Sequence, residues 1–346
     1  MGGSESTNPL GGFYGQRRVV VTGGAGFIGG HLVEALLLLG ARVTVLDDLS
    51  NSDGSHVTML AESYGGQLRF VYGSILDPVA LGEAMVGSEV VFHLAAMNSV
   101  PRSIEEPDRT FEVNATGTVR VAEASRRSGT RRLVYAASSS AYGDDPVLPK
   151  VESMLPRPVS PYGASKLAGE SVVRAWSRSY GVSGISLRLF NVFGPRQRGD
   201  DAYSAVVSAF ISGLLSGTRP TIYGDGTQTR DFTPVANVVH AMLLAGALGS
   251  DPDGQVVNVA LGRRTSVRWL FDAVARLVGR EGVEPRMAPA RRGDVEHSGA
   301  DITVSEKLLG FKPIKGLEEG LAETVSWVMK QREEFDSPVA GGVTEV

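Results

Sequence analysis

The sequence of 346 residues contains no cysteine, which excludes disulfide bonds, thiolate nucleophiles and cysteine-ligated zinc. It also lacks an apolar run approaching the roughly 18 residues that a membrane-spanning helix requires. Its first residues, "MGGSESTNPLGGFYGQ", have neither the basic nor the apolar segment of a secretory signal. We therefore expect a protein of the cytoplasm that does not span a membrane.

An excess of basic residues is absent too, since the formal net charge is -4. The charge therefore gives no support for nucleic-acid binding. The basic cluster at 125–133 lies between a helical pattern and an apolar strand, which is typical of a solvated helix end. The histidines show no metal-binding spacing, so no metal site is predicted. They are His31, His56, His93, His240 and His297.

Short apolar runs alternate with amphipathic helical patterns along the first half of the chain. The predicted strands are "RRVVVTG", "ARVTVLD", "LRFVYG", "EVVFHLA", "RLVYAAS" and "GISLRLFN". This alternation predicts an α/β fold with a doubly wound parallel sheet covered on both faces. We predict flexible tails over 1–16 and 333–346, a sheet domain over 17–195 with returns near 232–262, and a second region over 196–231 and 263–332.

The first chemical motif, "VVVTGGAGFIGG", places Gly23, Gly26 and Gly29 directly after a strand and at the start of a helix. Without side chains there, a pyrophosphate can approach backbone N–H groups and the positive helix end. The motif alone is also compatible with a glycine turn that binds nothing. Asp47 ends the next strand, 18 residues after Gly29, where its carboxylate can accept hydrogen bonds from an adenosine ribose and repel a 2'-phosphate. The pair of features favours NAD over NADP; the alternative for Asp47 is a turn residue that follows a strand.

Further residues are assigned to the cofactor site by their place after these strands. Asp77 follows the third strand near the expected adenine, and the small Ala95 and Ala96 follow the fourth strand, where backbone can pass close to the cofactor. The remaining assignments to the cofactor site are Phe27, Ile28, Asn51, Ile75 and Leu94.

The second motif is "SPYGASK", in which Tyr162 and Lys166 share one face of a predicted helix. A free tyrosine has a pKa near 10, and a neighbouring ammonium lowers the pKa and makes the phenol usable in proton transfer. Lys166 can also bond the cofactor ribose. The spacing alone is common on ordinary helices, but here it follows a dinucleotide motif and the serine cluster at 138–140.

Taken together, "TGGAGFIG", "LDDLSN", "HLAA", "SSSAYG", "YGASK", "LRLFNVFGPRQ", "YGDGTQTRDF" and "RRGDVEHSGAD" resemble an extended short-chain dehydrogenase/reductase acting on nucleotide sugars. The resemblance is to the NAD-dependent epimerase/dehydratase group and spans roughly 17–330. It implies a Rossmann domain of about seven parallel strands that binds NAD, and a smaller C-terminal region that binds the nucleotide sugar. It also implies a homodimer built on a four-helix bundle, here from the helices around 110–127 and 162–180.

The resemblance implies catalytic roles for Ser138, Tyr162 and Lys166, with Ser138 bridging the sugar 4-hydroxyl and Tyr162. Ser139 is then a substrate contact. Dehydratases and uronate decarboxylases of this group carry an acid where this chain has Ser140. Because a hydroxyl cannot replace a carboxylate as a base, 4-epimerisation is favoured.

Substrate contacts also follow from the resemblance. Phosphates and ribose are assigned to Asn191, Arg230, Arg291 and Asp294, although surface arginines paired with acids are the alternative for the two arginines. Sugar contacts are assigned to Ser99 and Arg102, and Arg102 is alternatively assigned to a 6-carboxylate of the sugar. Uridine rather than thymidine is implied by the resemblance alone.

Ser298 stands where the 4-epimerases have a size gate, and a small residue there admits a 2-acetamido group; otherwise it is only a small loop residue. Together with "NSVPRSIEEP", it brings the chain nearest to bacterial UDP-N-acetylglucosamine 4-epimerases. The expected activity is NAD-dependent 4-epimerisation of a UDP-hexose through a transient 4-keto sugar. The alternatives are another nucleotide-sugar enzyme of the same fold (a uronate epimerase, dehydratase or reductase) and a non-catalytic NAD-binding regulator.

Overall fold

The computed structural model describes residues 9–197, 206–290 and 295–336, with side chains of the last helix described to residue 333. The strands are β1 (Arg18–Thr22), β2 (Arg42–Asp47), β3 (Leu68–Tyr72), β4 (Val90–His93), β5 (Arg132–Ser138), β6 (Gly184–Leu189), β7 (Val192–Phe193), β8 (Thr221–Tyr223), β9 (Thr229–Arg230), β10 (Thr233–Pro234), β11 (Gln255–Val259), β12 (Thr265–Ser266) and β13 (Arg286–Ala288). The α-helices are α1 (Pro9–Tyr14), α2 (Phe27–Leu38), α3 (Ser55–Tyr64), α4 (Pro78–Ala84), α5 (Val100–Glu105), α6 (Pro107–Phe111), α7 (Gly117–Arg127), α8 (Pro161–Tyr180), α9 (Val206–Leu215), α10 (Val235–Ala247), α11 (Val267–Leu277), α12 (Thr303–Leu309) and α13 (Leu317–Asp336). A π-helical turn, Glu112–Thr116, joins α6 to α7, and 3-10 turns lie at Gly65–Gln67 and Ser139–Tyr142.

Seven of these strands form one parallel sheet in the order β11-β6-β5-β4-β1-β2-β3, which confirms the predicted fold class. The strand order reverses between β1 and β4, where a doubly wound sheet places its ligand crevice. The chain leaves the sheet after β6 and returns to it only at β11, which pairs with β6.

The central strands bury side chains on both faces, as their continuous apolar composition requires. One face packs against α2, α3 and α10, and the opposite face packs against α4, α7 and α8. A separate apolar cluster joins α9, α11 and α13 around Phe210 and Phe271 and forms the core of the second region. The boundaries drawn from the sequence between the two regions remain a prediction.

Residues 9–16, which the sequence places in a flexible tail, are instead ordered against the rest of the chain. Helix α1 ends at Tyr14, which is fully buried and whose hydroxyl donates to the Leu243 carbonyl at 2.7 Å. The glycine-rich local sequence gives no sign of this contact, because Leu243 is far away in the chain. At the other end, α13 continues to Asp336, past residue 333 where a second tail was expected. Of the helices in the described ranges, none is long and apolar enough to cross a membrane.

Candidate active site

Several of the predicted site residues lie at one edge of the sheet, among them Asp47 and Ser138. Because the strands are parallel, their carboxyl ends meet there, and ligands of such sheets bind outside this edge. The residues that end the five strands around the point of reversal are Thr22, Asp47, His93, Ser138 and Leu189.

The glycine motif forms a close turn between β1 and α2 that leaves no room for a side chain at Gly23 or Gly29. Gly23 has a φ of +72°, and a Cβ added there would lie 2.6 Å from the Ala95 nitrogen. A Cβ on Gly29 would lie 2.1 Å from the Gly23 carbonyl oxygen. Both distances are too short for any side chain, so glycine is required at each position.

Helix α2 begins at Phe27 and Ile28, directly after Gly26, and no side chain caps its first turn. The N–H groups of a first helical turn have no partner within the helix, and the helix dipole favours an anion next to them. A bare backbone turn that no side chain caps fits the pyrophosphate of a dinucleotide such as NAD.

Asp47 connects the end of β2 to this turn. Its Oδ2 accepts a hydrogen bond from the Ala25 N–H at 3.0 Å, and its Oδ1 accepts one from the Leu49 N–H at 2.9 Å. Burial raises the pKa of the Asp47 carboxyl, and the two backbone hydrogen bonds oppose that rise. The carboxylate is therefore held beside the glycine turn, where the sequence predicts the adenosine ribose.

The remaining residues assigned to the cofactor site differ in how deeply they are buried. Ile75 is buried against Gly117, where an added Cβ would meet its Cδ1 at 2.5 Å. Leu94, Ala95 and Ala96 follow β4 and are partly buried. Asn51 lies in an exposed turn, and exposed Asp77 caps α4 by accepting from the Val79 N–H at 2.8 Å. The proposed roles of these residues towards a cofactor stay predictions.

The structure brings Ser138 and Tyr162 together across the gap between β5 and α8. The Ser138 hydroxyl lies near enough to the Tyr162 phenol to lower its pKa, and Ser138 Oγ accepts a hydrogen bond from the Ser140 N–H at 3.2 Å. Ser139 and Ser140 lie in the 3-10 turn that follows. The Tyr162 N–H donates to Ser103 Oγ at 3.1 Å, which fixes the first turn of α8.

Burial controls the protonation of the pair on α8. Desolvation raises the pKa of Tyr162, and the hydrogen bond from Ser138 acts in the opposite direction. Lys166 is buried with its Nζ 4.5 Å from the centre of the Tyr135 ring, and burial lowers its pKa to about 7 while Glu170 raises it. The expectation that Lys166 lowers the pKa of Tyr162 is therefore not supported; the lowering contribution comes from Ser138.

Two buried polar residues behind the site were missed in the sequence. Asn114, in the π-helical turn, accepts from the Met97 N–H at 2.8 Å and donates to the Met97 carbonyl and to Ser165 Oγ, both at 3.0 Å. It thereby ties the loop after β4 to α8. His93 lies between the hydroxyls of Thr22 and Thr118, and burial followed by the Lys166 charge lowers its pKa to about 3. His93 is marked in the sequence as a polar residue inside an otherwise apolar strand, whereas the segment around Asn114 is polar and carries no such signal.

Two of the substrate residues predicted in the second region, Arg230 and Ser298, lie close together. Arg230 donates to the carbonyls of Thr229 and Glu296, both at 2.9 Å, and the Ser298 N–H donates to the same Thr229 carbonyl at 3.0 Å. These contacts place Arg230 next to the Ser298 segment.

Asn191 follows β6 with a φ of +21°, and its carbonyl accepts from the Thr233 N–H at 3.1 Å. Arg291 and Asp294 lie outside the described residues.

Ser99 and Arg102 make local contacts at α5. Ser99 Oγ accepts from the Arg102 N–H at 3.2 Å and so caps the helix. The Arg102 guanidinium pairs with Glu106 at 2.9 Å on the surface. Their roles towards a sugar stay predictions, and binding by Arg102 would require this surface pair to open.

Comparison with known proteins agrees with this geometry. A sequence profile of the NAD dependent epimerase/dehydratase family matches residues 19–260. A UDP-glucose 4-epimerase of Mycolicibacterium smegmatis is 41% identical over 312 residues, covering 90% of this chain and 98% of that protein.

Two solved structures extend the comparison. A UDP-N-acetylglucosamine 4-epimerase from Methanobrevibacter ruminantium M1, in complex with UDP-N-acetylmuramic acid, has a TM-score of 0.86 at 36% identity, covering 92% of this chain and 99% of that chain. A UDP-glucuronic acid 4-epimerase from Bacillus cereus, in complex with a 4-deoxy-4-fluoro analogue of UDP-glucuronic acid and NAD, has a TM-score of 0.84 at 28% identity, covering 91% and 99%. With its glycine turn, Asp47 and the Ser138–Tyr162 pair at one sheet edge, the chain belongs to the NAD-dependent epimerase/dehydratase family.

Proposed function

We propose that the protein interconverts UDP-hexoses that differ at C4, with UDP-N-acetylglucosamine and UDP-N-acetylgalactosamine as the favoured pair and UDP-glucose and UDP-galactose as further substrates. The observation that carries the proposal is the juxtaposition of Ser138 at the end of β5 with Tyr162 in the first turn of α8, with Lys166 one helical turn further along α8. This arrangement lies at the same sheet edge as the glycine turn that fits NAD.

The residues of this chain supply proton transfer and orientation. Tyr162 takes the proton of the sugar 4-hydroxyl, and Ser138 bridges the two oxygens, so that a proton can move without water. When bound, NAD would accept a hydride from C4 and return it. If the oxidised sugar presents its other face to the cofactor site, the configuration at C4 would be inverted, and the role of Tyr162 is then to give the proton back to the 4-oxygen.

Ser140 supports epimerisation over the reactions of related enzymes. Dehydration and decarboxylation need a base at a further sugar carbon, and the position that supplies it in the resemblance carries a serine here. Ser140 sits in the 3-10 turn, where its N–H is bonded to Ser138 Oγ, and a hydroxyl does not act as a base near neutral pH.

The nucleotide and the assembly are assigned by the same proposal. Asn191, Arg230, Arg291 and Asp294 hold the uridine diphosphate, with guanidinium groups meeting phosphate oxygens in pairs. A homodimer forms through α7 and α8, which pack side by side as two helices of a four-helix bundle would.

A UDP-uronate 4-epimerase is the second candidate. The Bacillus cereus relative has that activity in its name, and Arg102 is the cation assigned to meet a 6-carboxylate. In this chain Arg102 is paired with Glu106 on the surface, and this exposed pair would have to open for Arg102 to meet a carboxylate.

The test of the function uses proton NMR and mass spectrometry on UDP-N-acetylglucosamine, UDP-glucose and UDP-glucuronic acid, each incubated with the purified protein without added cofactor. A 4-epimer of unchanged mass, formed fastest from the acetylated sugar, is expected. Loss of water or carbon dioxide would contradict the argument from Ser140. Turnover of UDP-glucuronic acid alone would establish the second candidate, and no change in any sugar would favour a regulator that only binds NAD.

Replacing Ser298 by tyrosine is expected to abolish turnover of the acetylated sugars while UDP-glucose is still converted. The larger side chain fills the space that a 2-acetamido group needs, beside the strand that carries Arg230. The measurement is kcat/KM for both sugars, and Ser298→Ala serves as the control that keeps the site small. Equal loss with both sugars would show that Ser298 does not select the substrate.

A further inference from the structure

A buried ion pair lies behind the proton-transfer residues and has no role in the function proposed above. Arg188 Nε and Nη2 donate to the two carboxylate oxygens of Glu170 at 2.8 and 2.7 Å, and the side chains are only 3% and 4% exposed. Removing both charges from water costs about as much as their attraction returns, so such a pair is weak evidence for stability. Its position suggests another role.

On one side, the pair is attached to the helix that carries Tyr162 and Lys166. Glu170 follows Lys166 by one turn of α8 and faces the same side of the helix. Arg188 is in β6, in register with Ala137 of β5, the residue before Ser138. The ion pair therefore joins α8 to the sheet next to the strand end that carries Ser138.

On the other side, the pair contacts the turn that Ser138 begins. The Arg188 guanidinium lies 4.4 Å from the centre of the Tyr142 ring, and Tyr142 ends the 3-10 turn. The Tyr142 hydroxyl donates to Asn258 Oδ1 at 2.7 Å, which fixes the ring from β11. The 138–142 turn and α8 thus share Arg188 as a common contact.

The Glu170 carboxylate also affects the protonation of Lys166. Glu170 is the anion coupled to Lys166, and His93 of β4 is coupled to it as well. Strand β5 presents the Tyr135 ring, and Tyr162 lies on the same helix. Helices α5 and α7 and the π-helical turn present groups that do not titrate, namely Ser103, Thr118 and Asn114.

We propose that the Glu170–Arg188 ion pair is a positioning device for proton transfer, which holds α8 against the 138–142 turn and places a carboxylate that favours the charged form of Lys166 one helical turn away. The catalytic part of this proposal rests on the proposed epimerisation, whereas the electrostatic part does not. Neither Glu170 nor Arg188 touches the reacting atoms in this role.

The electrostatic part is tested by NMR titration of protein labelled at its six lysines, with the Lys166 signal identified by its loss in Lys166→Met. Lys166 of the wild type is expected to titrate near pH 7. Glu170→Gln removes the carboxylate and leaves the Arg188 charge uncompensated, so Lys166 should titrate at a lower pH. Arg188→Met leaves the carboxylate free to act on Lys166, so Lys166 should titrate at a higher pH. Shifts in the same direction, or none, would overturn the proposal.

Each single variant leaves an unpaired buried charge and can fail to fold, so a double variant is included. Glu170→Met with Arg188→Met removes both charges and replaces the volume with apolar atoms. We expect a Tm near that of the wild type, a KM nearly unchanged, and a kcat at least about tenfold lower because the proton-transfer groups lose their alignment. The matched control is Arg178→Met. Arg178 also lies on α8, and this substitution breaks its exposed ion pair with Asp253.

The outcomes separate the two proposals. If the wild type converts UDP-sugars and the double variant keeps its kcat, the positioning role is refuted and the proposed function stands. If the wild type converts no sugar but the two single variants shift the Lys166 titration in opposite directions, the proposed function fails and the electrostatic role of the pair stands.

Discussion

Tyr162→Phe is expected to lower kcat for UDP-sugar epimerisation by about 10²- to 10⁴-fold, the range that general acid–base groups contribute. The substitution removes only the hydroxyl that Ser138 bonds, and it keeps the ring that begins α8. Without that oxygen, Ser138 has no phenol to which the 4-hydroxyl proton can be passed. The fold and NAD retention are expected to be unchanged.

The measurement is the initial rate of 4-epimer formation by proton NMR, together with the NAD content of the purified variant. Tyr180→Phe is the matched control, since Tyr180 ends the same helix and is 56% exposed. A Tyr162→Phe enzyme with a kcat within about tenfold of the wild type would exclude the phenol from proton transfer.

Gly29→Ala is expected to weaken NAD binding by at least about 100-fold, which corresponds to roughly 2.7 kcal/mol. The added Cβ would lie 2.1 Å from the Gly23 carbonyl oxygen and 2.8 Å from the Gly24 Cα, and both are backbone atoms that cannot rotate away. Helix α2 and the glycine turn would have to separate, and the N–H groups aimed at the pyrophosphate would move with them.

NAD content after denaturation, followed by calorimetric titration with NAD, measures the effect. Gly82→Ala is the control, because Gly82 lies in α4 where an added Cβ meets nothing within 4 Å. There alanine is expected to be neutral or slightly stabilising. Equal NAD affinity in Gly29→Ala and the wild type would show that the cofactor does not use this turn.

The parts of the site that the sequence predicts well are short-range patterns. Gly23 and Gly29 are separated by one tight turn, and Tyr162 and Lys166 by one turn of helix, so spacing alone places each pair. The parallel sheet was predictable for a similar reason, since strands buried on both faces read as continuous apolar runs.

The parts that the sequence does not predict depend on residues far apart in the chain. Arg188 meets Glu170 because β6 lies beneath α8, and Asn114 reaches Met97 and Ser165 only once α6, α7 and α8 have packed. Helix α1 was missed because its order depends on Tyr14 reaching Leu243. Local composition contains none of this information.

The return of the chain at β11 has a consequence for synthesis. Until Gln255–Val259 has left the ribosome, β6 is an open edge with unpaired backbone groups, and a strand in that state can pair with another chain. The turns, helices and strands between Val192 and Pro234 are synthesised before β11. The edge of β6 therefore has no partner strand while they emerge. The sheet, and with it the docking of Tyr142 on Asn258, can therefore be completed only after residue 259 has been made.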